Sequence, residues 1–205
     1  MLPPFDNTLD DTPSGILGTQ KSFELFSRRL INAALRMVTR RRLTEHQLRE
    51  RLEKKISSRW YDMFRANISE DVMRDEIQKI LLRFRELGYL NDWDFAELFV
   101  RDTLQYRPHG FLWIKMQLAK KGVDSHIIAD VLEQLREESA GRTTDGESGD
   151  VEYRGARSLA EKKLPTLSRY ESSKRYEKLF RFLCSRGYSA SMAFRVLDEL
   201  GLLRR

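Results

Sequence analysis

The chain has one cysteine, Cys184, among 205 residues, so no disulfide can form within it. It has three histidines, His46, His109 and His126, far apart and in none of the HExxH or HxH spacings that hold zinc. No glycine is followed by lysine, which excludes a Gly-Lys-Ser/Thr phosphate loop. No apolar run approaches the ~18 residues of a membrane span. The stretch from Met1 to Gln20 has no base and holds three of the five prolines, unlike a signal peptide. These absences lead to the expectation of a cytoplasmic protein with no membrane contact, no cofactor and no catalytic centre. Cys184 reads as a small packed residue rather than a nucleophile.

Proline and strand patterns are also scarce. After residue 20 only Pro108 and Pro165 interrupt the chain, and β-branched alternation is missing. The spacing predicts helices over about 22–40, 44–56, 69–87, 92–106, 110–121, 125–138, 153–163, 171–186 and 189–203. Thr44-Glu45-His46-Gln47 fits a capping box. Ser69, Asn91 or Asp92, Asp124 or Ser125, and Ser189 fit N-caps. Asp92 and Asp94 therefore read as capping groups at a helix start, not as metal ligands. Gly88, Gly122 and Gly187 each follow a helical pattern and suit the left-handed position past a helix end.

Hydrophobic residues (40%) and charged residues (33%) are both plentiful, and the net charge is +6. That charge is unevenly placed. Residues 21–65 and 153–205 each carry +8, residues 66–138 carry −4, and the two stretches 1–20 and 139–152 carry −3 each. Basic ends suit a polyanion such as nucleic acid, and the acidic middle argues against a coat of DNA on every face. Residues 1–21 read as an acidic disordered tail, and 139–152, rich in Gly, Ser, Thr and acid, as a flexible linker.

The chain repeats itself. Residues 114–135 and 179–200 align without gaps at a shift of 65, pairing Leu118 with Leu183, Lys121 with Arg186, Gly122 with Gly187 and Leu132 with Leu197. A split third copy lies at 48–55 and 77–84, with an insertion at 56–68 between its halves. Each copy is a helix, a turn and a helix, and each is preceded by a further helix. The result is an all-α chain of three tandem three-helix, helix-turn-helix-like repeats at 22–90, 91–138 and 153–205. One such unit cannot bury its apolar faces alone, so neighbours must stack. Phe95, Leu98, Phe99 and Leu104 fit an apolar stripe, which places the rings with Trp93 mostly in the core. Trp60, Tyr61 and Phe64 either close the insertion onto the body or anchor a partner.

Four stretches carry a resemblance. They are Arg40-Arg41-Arg42-Leu43-Thr44-Glu45-His46-Gln47-Leu48 with Leu52-Glu53-Lys54-Lys55; Leu87-Gly88-Tyr89-Leu90-Asn91-Asp92-Trp93-Asp94-Phe95-Ala96; Gly110 to Ile114 with Leu118 and Lys120-Lys121-Gly122-Val123; and Arg186-Gly187-Tyr188. Together they resemble the RecX regulators of the RecA recombinase over about 28–138 and 153–203. The insertion and the linker depart from that pattern. The resemblance implies an elongated, curved array of three repeats. It also implies a non-enzymatic protein that binds in the groove of the RecA–DNA filament and inhibits ATP hydrolysis and strand exchange.

The basic clusters are the candidate face for the RecA filament and for single- and double-stranded DNA. Arg40, Arg41 and Arg42 end one helix, where they either engage phosphates and acidic side chains or complement the helix terminus. Lys54-Lys55, Lys120-Lys121 and Arg186 recur at equivalent repeat positions. Lys174, Arg175, Lys178 and Arg181 form a further cluster, with Lys174, Lys178 and Arg181 on one helix face. No dimerisation signal is present, so a monomer is expected. The alternative function is a sequence-specific DNA-binding helical protein, whose units would place a recognition helix in the major groove.

Overall fold

The computed structural model describes residues 14–58, 62–140 and 151–202, and these are all-α. The helices are α1 (Ser14–Arg40), α2 (Glu45–Ile56), α3 (Asp62–Arg65), α4 (Glu70–Glu86), α5 (Asp92–Tyr106), α6 (Phe111–Lys120), α7 (Ser125–Ala140), α8 (Val151–Lys163), α9 (Ser172–Ser185) and α10 (Ala190–Glu199). A 3₁₀ turn at Leu164–Leu167 carries Pro165 in its first positions, where its missing N–H costs nothing. Among the described residues no helix is long and apolar enough to cross a membrane.

Three expectations meet the edges of the described residues. Residues 1–13 of the expected tail, Trp60 and Tyr61 of the insertion, and 141–150 of the expected linker lie outside them. Helix α1 begins at Ser14, well before position 22. Gly15 and Gly18 each weaken a helix by about 1 kcal/mol. Extending a helix is still easier than starting one, and Phe26, Leu30 and Ala34, all fully buried, anchor this one downstream. The second half of the insertion folds inward. Phe64 and Ile68 are buried, and the Phe64 ring meets Phe26 edge-on at 5.6 Å.

The chain divides into two compact units, residues 1–43 with 47–90, and residues 44–46 with 91–205. The first has one core, built from α1, α2, α3 and α4 around Phe26, Leu30, Leu48, Leu52, Ile77 and Leu81. The second has two. Ala96, Val100, Ile114, Leu118, Val131 and Leu132 form one core, and Ala156, Ala160, Leu179, Leu183, Val196 and Leu197 form the other. Leu118 and Leu132 of one core and their partners at a shift of 65, Leu183 and Leu197 of the other, are buried alike. Helix α5 differs from its expected stripe. Its deepest residues are Ala96, Val100 and Thr103, while Phe95 and Phe99 are half-buried and Leu98 is 38% exposed. Small side chains occupy the face where α5 crosses its neighbours, which moves the large rings to the flank.

Helix α6 starts at Gly110, which has no side chain to cap it. Its unpaired N–H groups find acceptors elsewhere in the second unit. The Gly110 N–H donates to the Arg186 carbonyl at 2.9 Å, and the Leu112 N–H to the Gly187 carbonyl at 3.2 Å. The Phe111 N–H donates to the buried Glu152 carboxylate at 2.7 Å, where negative charge also complements the helix dipole. This approach needs two glycines. A Cβ on Gly110 would lie 2.1 Å from the Gly187 oxygen, and one on Gly187 would lie 2.3 Å from the Trp113 Cβ. Gly187 also has φ +83°, a conformation other residues avoid. The same device recurs at the α6–α7 turn. The buried Thr44 hydroxyl donates to the Lys121 carbonyl, and a Cβ on Gly122 would lie 2.2 Å from the His46 Cβ. Beside it, the Asp92 carboxylate, its pKa raised by burial, accepts from the Glu45 N–H at 2.9 Å.

Gly201 separates backbone strain from close approach, because it has φ +68° but open space around it. Gly201→Ala is expected to cost about 1–2 kcal/mol of left-handed strain. Gly187→Ala adds displacement of Trp113 to that strain and is expected to lower the urea midpoint at least twice as far. Equal losses would show that the turn yields without cost.

Candidate filament and nucleic-acid interface

Two environments recur among the described cations. Many are held by carboxylates one helical turn away: Lys54 by Glu50, Arg74 by Glu70, Arg83 by Glu86, Arg136 by Glu133, Arg181 by Glu177 and Arg195 by Glu199. Such pairs stabilise a helix by a few tenths of a kcal/mol and largely cancel each other's field. Arg136 and Arg195 also lie over the Phe111 and Tyr153 rings. A further set faces aromatic rings with no carboxylate of the described residues in ion-pair range.

On α9, Lys174, Lys178, Phe182 and Arg186 follow one another at four-residue intervals, which lays them along one stripe of the helix. Lys178 Nζ lies 4.6 Å from the centroid of Tyr170, and the Arg169 guanidinium lies 4.9 Å from the same ring. Lys163 Nζ and the Arg186 guanidinium lie 5.7 and 5.4 Å from Phe182. Arg186 then reaches His109 Nε2 at 3.4 Å. His109 Nδ1 sits 2.6 Å from the Arg107 carbonyl, which can only accept. The imidazole proton therefore belongs on Nδ1, leaving Nε2 to accept from Arg186.

The row continues across the α6 start onto the second repeat. His109 stacks on Trp113 with centroids 4.0 Å apart. Phe99 follows Trp113, and Phe95 follows Phe99, each at 6.4 Å with planes within 13° and 9°. Lys121 Nζ closes the row, 5.5 Å from Phe99 and 6.0 Å from Phe95. A ring holds a cation by about 0.5–1 kcal/mol without neutralising it. No carboxylate among the described residues forms an ion pair with Lys121, Lys163, Arg169, Lys174, Lys178 or Arg186. The strip thus presents fixed, uncompensated positive charge. Tyr170 registers this field: the hydrogen bond from Arg169, at 2.9 Å, and the nearby charges of Arg169 and Lys178 pull its phenol below the usual value.

The structure brings together Lys121, Lys174, Lys178 and Arg186, with exposed Lys120 next to Lys121. Lys121 and Arg186 are the C-caps of α6 and α9, and their carbonyls take the bonds from Thr44 and Gly110. Two members of the α9 cluster differ from expectation. Arg181 is tied to Glu177, and Arg175 is half-buried with its Nε unpartnered. Arg40, Arg41 and Arg42 lie in the first unit, exposed and without an ion pair among the described residues. Lys54 and Lys55 are also in that unit, Lys54 paired and Lys55 half-buried. Lys163, Arg169, His109, Trp113 and Phe182 escaped the sequence reading. The four-residue spacing of Lys174, Lys178, Phe182 and Arg186 was the available signal for Phe182.

Both segments that carry the strip match models of known three-helix units. Residues 91–132 match the second three-helix domain of RecX, and residues 150–197 match the third. The regulatory protein RecX of Chlorobium phaeobacteroides (strain BS1) is 30% identical over 124 residues, which cover 60% of this chain and 72% of that one. The chain belongs to the RecX family. The regulatory protein RecX of Clostridium perfringens (strain SM101 / Type A) is 34% identical over 160 residues, covering 77% of this chain and 62% of that protein. The chain thus spans about three fifths of that relative's length. The crystal structure of RecX from Lactobacillus salivarius shares the fold, with a TM-score of 0.66 at 24% identity, covering 87% of this chain and 98% of that one. A second RecX crystal structure superposes with a TM-score of 0.70 at 18% identity, over 92% of this chain and 79% of that one. The cations and rings of the strip all fall within the two RecX-matched segments.

The electrostatic description has a direct optical readout. Burial pushes the Tyr153 and Tyr188 phenols up, whereas Tyr170 is pulled down. In an alkaline titration followed at 295 nm, Tyr170 is expected to ionise first. Tyr170→Phe removes that early component and Lys178→Met moves it to higher pH. A titration that Tyr170→Phe leaves unchanged would contradict the local field described here.

Proposed function

We propose that this RecX-family chain regulates a RecA-type recombinase by lying along the RecA–DNA filament, with the basic aromatic strip as the face it presents. The observation that supports this reading is the row of cations held over rings. Lys121, Lys163, Arg169, Lys178 and Arg186 lie over aromatic rings without an ion pair among the described residues, while Lys54, Arg74 and Arg136 are examples of cations elsewhere that are paired with carboxylates. A polyanionic surface, whether the DNA or an acidic filament groove, is the partner such a strip fits. Preorganised cations also lose little side-chain freedom on binding.

The mechanism is one of differential binding. A chain that binds one filament state better than another shifts the filament toward it, and a chain with equal affinity for both shifts nothing. Inhibition of ATP hydrolysis and strand exchange follows if the favoured state is a slow one. Because exposed charges carry the attraction, binding weakens as salt rises.

The test is single-stranded-DNA-dependent ATP hydrolysis by the host's RecA, titrated with the full chain. Hydrolysis is expected to fall at substoichiometric amounts. Lys174→Glu with Lys178→Glu, at roughly 1 kcal/mol per reversal, should raise the amount required about thirtyfold. Arg40→Glu with Arg41→Glu should also lower potency, and unchanged potency would remove that triplet from the interface. Full hydrolysis at excess chain, with filaments forming normally, would overturn the proposal.

A further inference from the structure

We propose that the strip is a single-stranded nucleic-acid site that contacts bases as well as phosphates. This deepens the reading above by naming the strand type and the chemistry of the contact. Cations alone would serve any polyanion. The rings call for a further account, because Phe95, Phe99, Trp113 and Phe182 are large apolar groups left half-exposed in a continuous row with the cations.

A duplex offers its phosphates and groove edges, with the faces of its bases stacked away. A single strand offers phosphates alternating with unstacked bases, whose faces bind aromatic side chains without regard to sequence. The strip has the matching composition along its whole length. Lys174 and Lys178 lead to Phe182, Arg186 to His109 and Trp113, and Phe99 and Phe95 to Lys121. The Arg186 guanidinium and the His109 imidazole are themselves planar groups on which a base can stack. Three acidic residues of the third repeat are held by arginines: Glu177 by Arg181, Glu161 by Arg157, and Glu199 by Arg195.

The experiment compares two labelled oligomers of equal length and charge, one of deoxythymidine and one of abasic sites. Each is titrated with the full chain in the absence of recombinase and followed by fluorescence anisotropy. The base-bearing strand is expected to bind at least about fivefold more tightly and to quench tryptophan fluorescence, a quench lost in Trp113→Phe. Phe182→Leu, which keeps the volume but removes the ring, should bring the two affinities together. Lys174→Glu should weaken both equally and preserve their ratio. Equal affinity of the unaltered chain for the two oligomers would overturn the inference, as would a preference that survives both Phe182→Leu and Phe99→Leu. Inhibited ATP hydrolysis with no base preference would overturn this inference alone. A base preference with uninhibited hydrolysis would support it and overturn the regulator reading.

Discussion

The backbone of the α6 start rests directly on the backbone of the α9–α10 turn, and the strip depends on that contact. Gly110 and Gly187 meet with no side chain between them, joined by hydrogen bonds to the Arg186 and Gly187 carbonyls. The contact replaces the side-chain cap that Gly110 lacks, and Glu152 completes it. Sequence neighbours are positioned as a consequence. His109 precedes Gly110 and Arg186 precedes Gly187, so closing the glycines brings imidazole and guanidinium together. Without that closure the rings of the second repeat and the cations of the third would be two separate patches.

The contact is one step in a series. Thr44 meets the Lys121 carbonyl, and His109 meets the Arg186 side chain, at the same separation of 77 residues. Thr44, His109 and Lys174 also follow one another at the 65-residue interval that relates the copies. Within the second compact unit, the first two members of the series each meet a residue that precedes a turn glycine, Lys121 before Gly122 and Arg186 before Gly187. Lys174, the third, is exposed. The same repeat position thus serves packing twice and presents free charge once.

Much of this fold was legible in the sequence because its signals are local. Helical spacing, the Ser69 and Ser189 caps, and the glycines after α4, α6 and α9 fall where the pattern placed them. What stayed hidden was set by contacts between distant segments. Glu152 sat in an acidic stretch that read as linker, and its carboxylate is buried against an N–H 41 residues away. His109 was weighed only as a metal ligand, and its partners are a tryptophan one turn on and an arginine from the next repeat. The α5 rings fitted an apolar stripe, yet the deepest line of that helix runs through alanine, valine and threonine. Among the cations, spacing put Arg181 with Lys174 and Lys178, but Glu177, also one turn away, holds it.

The central claim is that the uncompensated charge on the strip meets the filament. Lysine acetylation footprinting tests it most directly. The full chain would be acetylated with and without saturating RecA–single-stranded-DNA filaments, and each lysine read by mass spectrometry. Lys121, Lys163, Lys174 and Lys178 are expected to be protected by filaments, while Lys54 and Lys79, each paired with a glutamate of its own helix, keep their reactivity. Protection of Lys54 and Lys79 with the strip lysines left reactive would contradict the account.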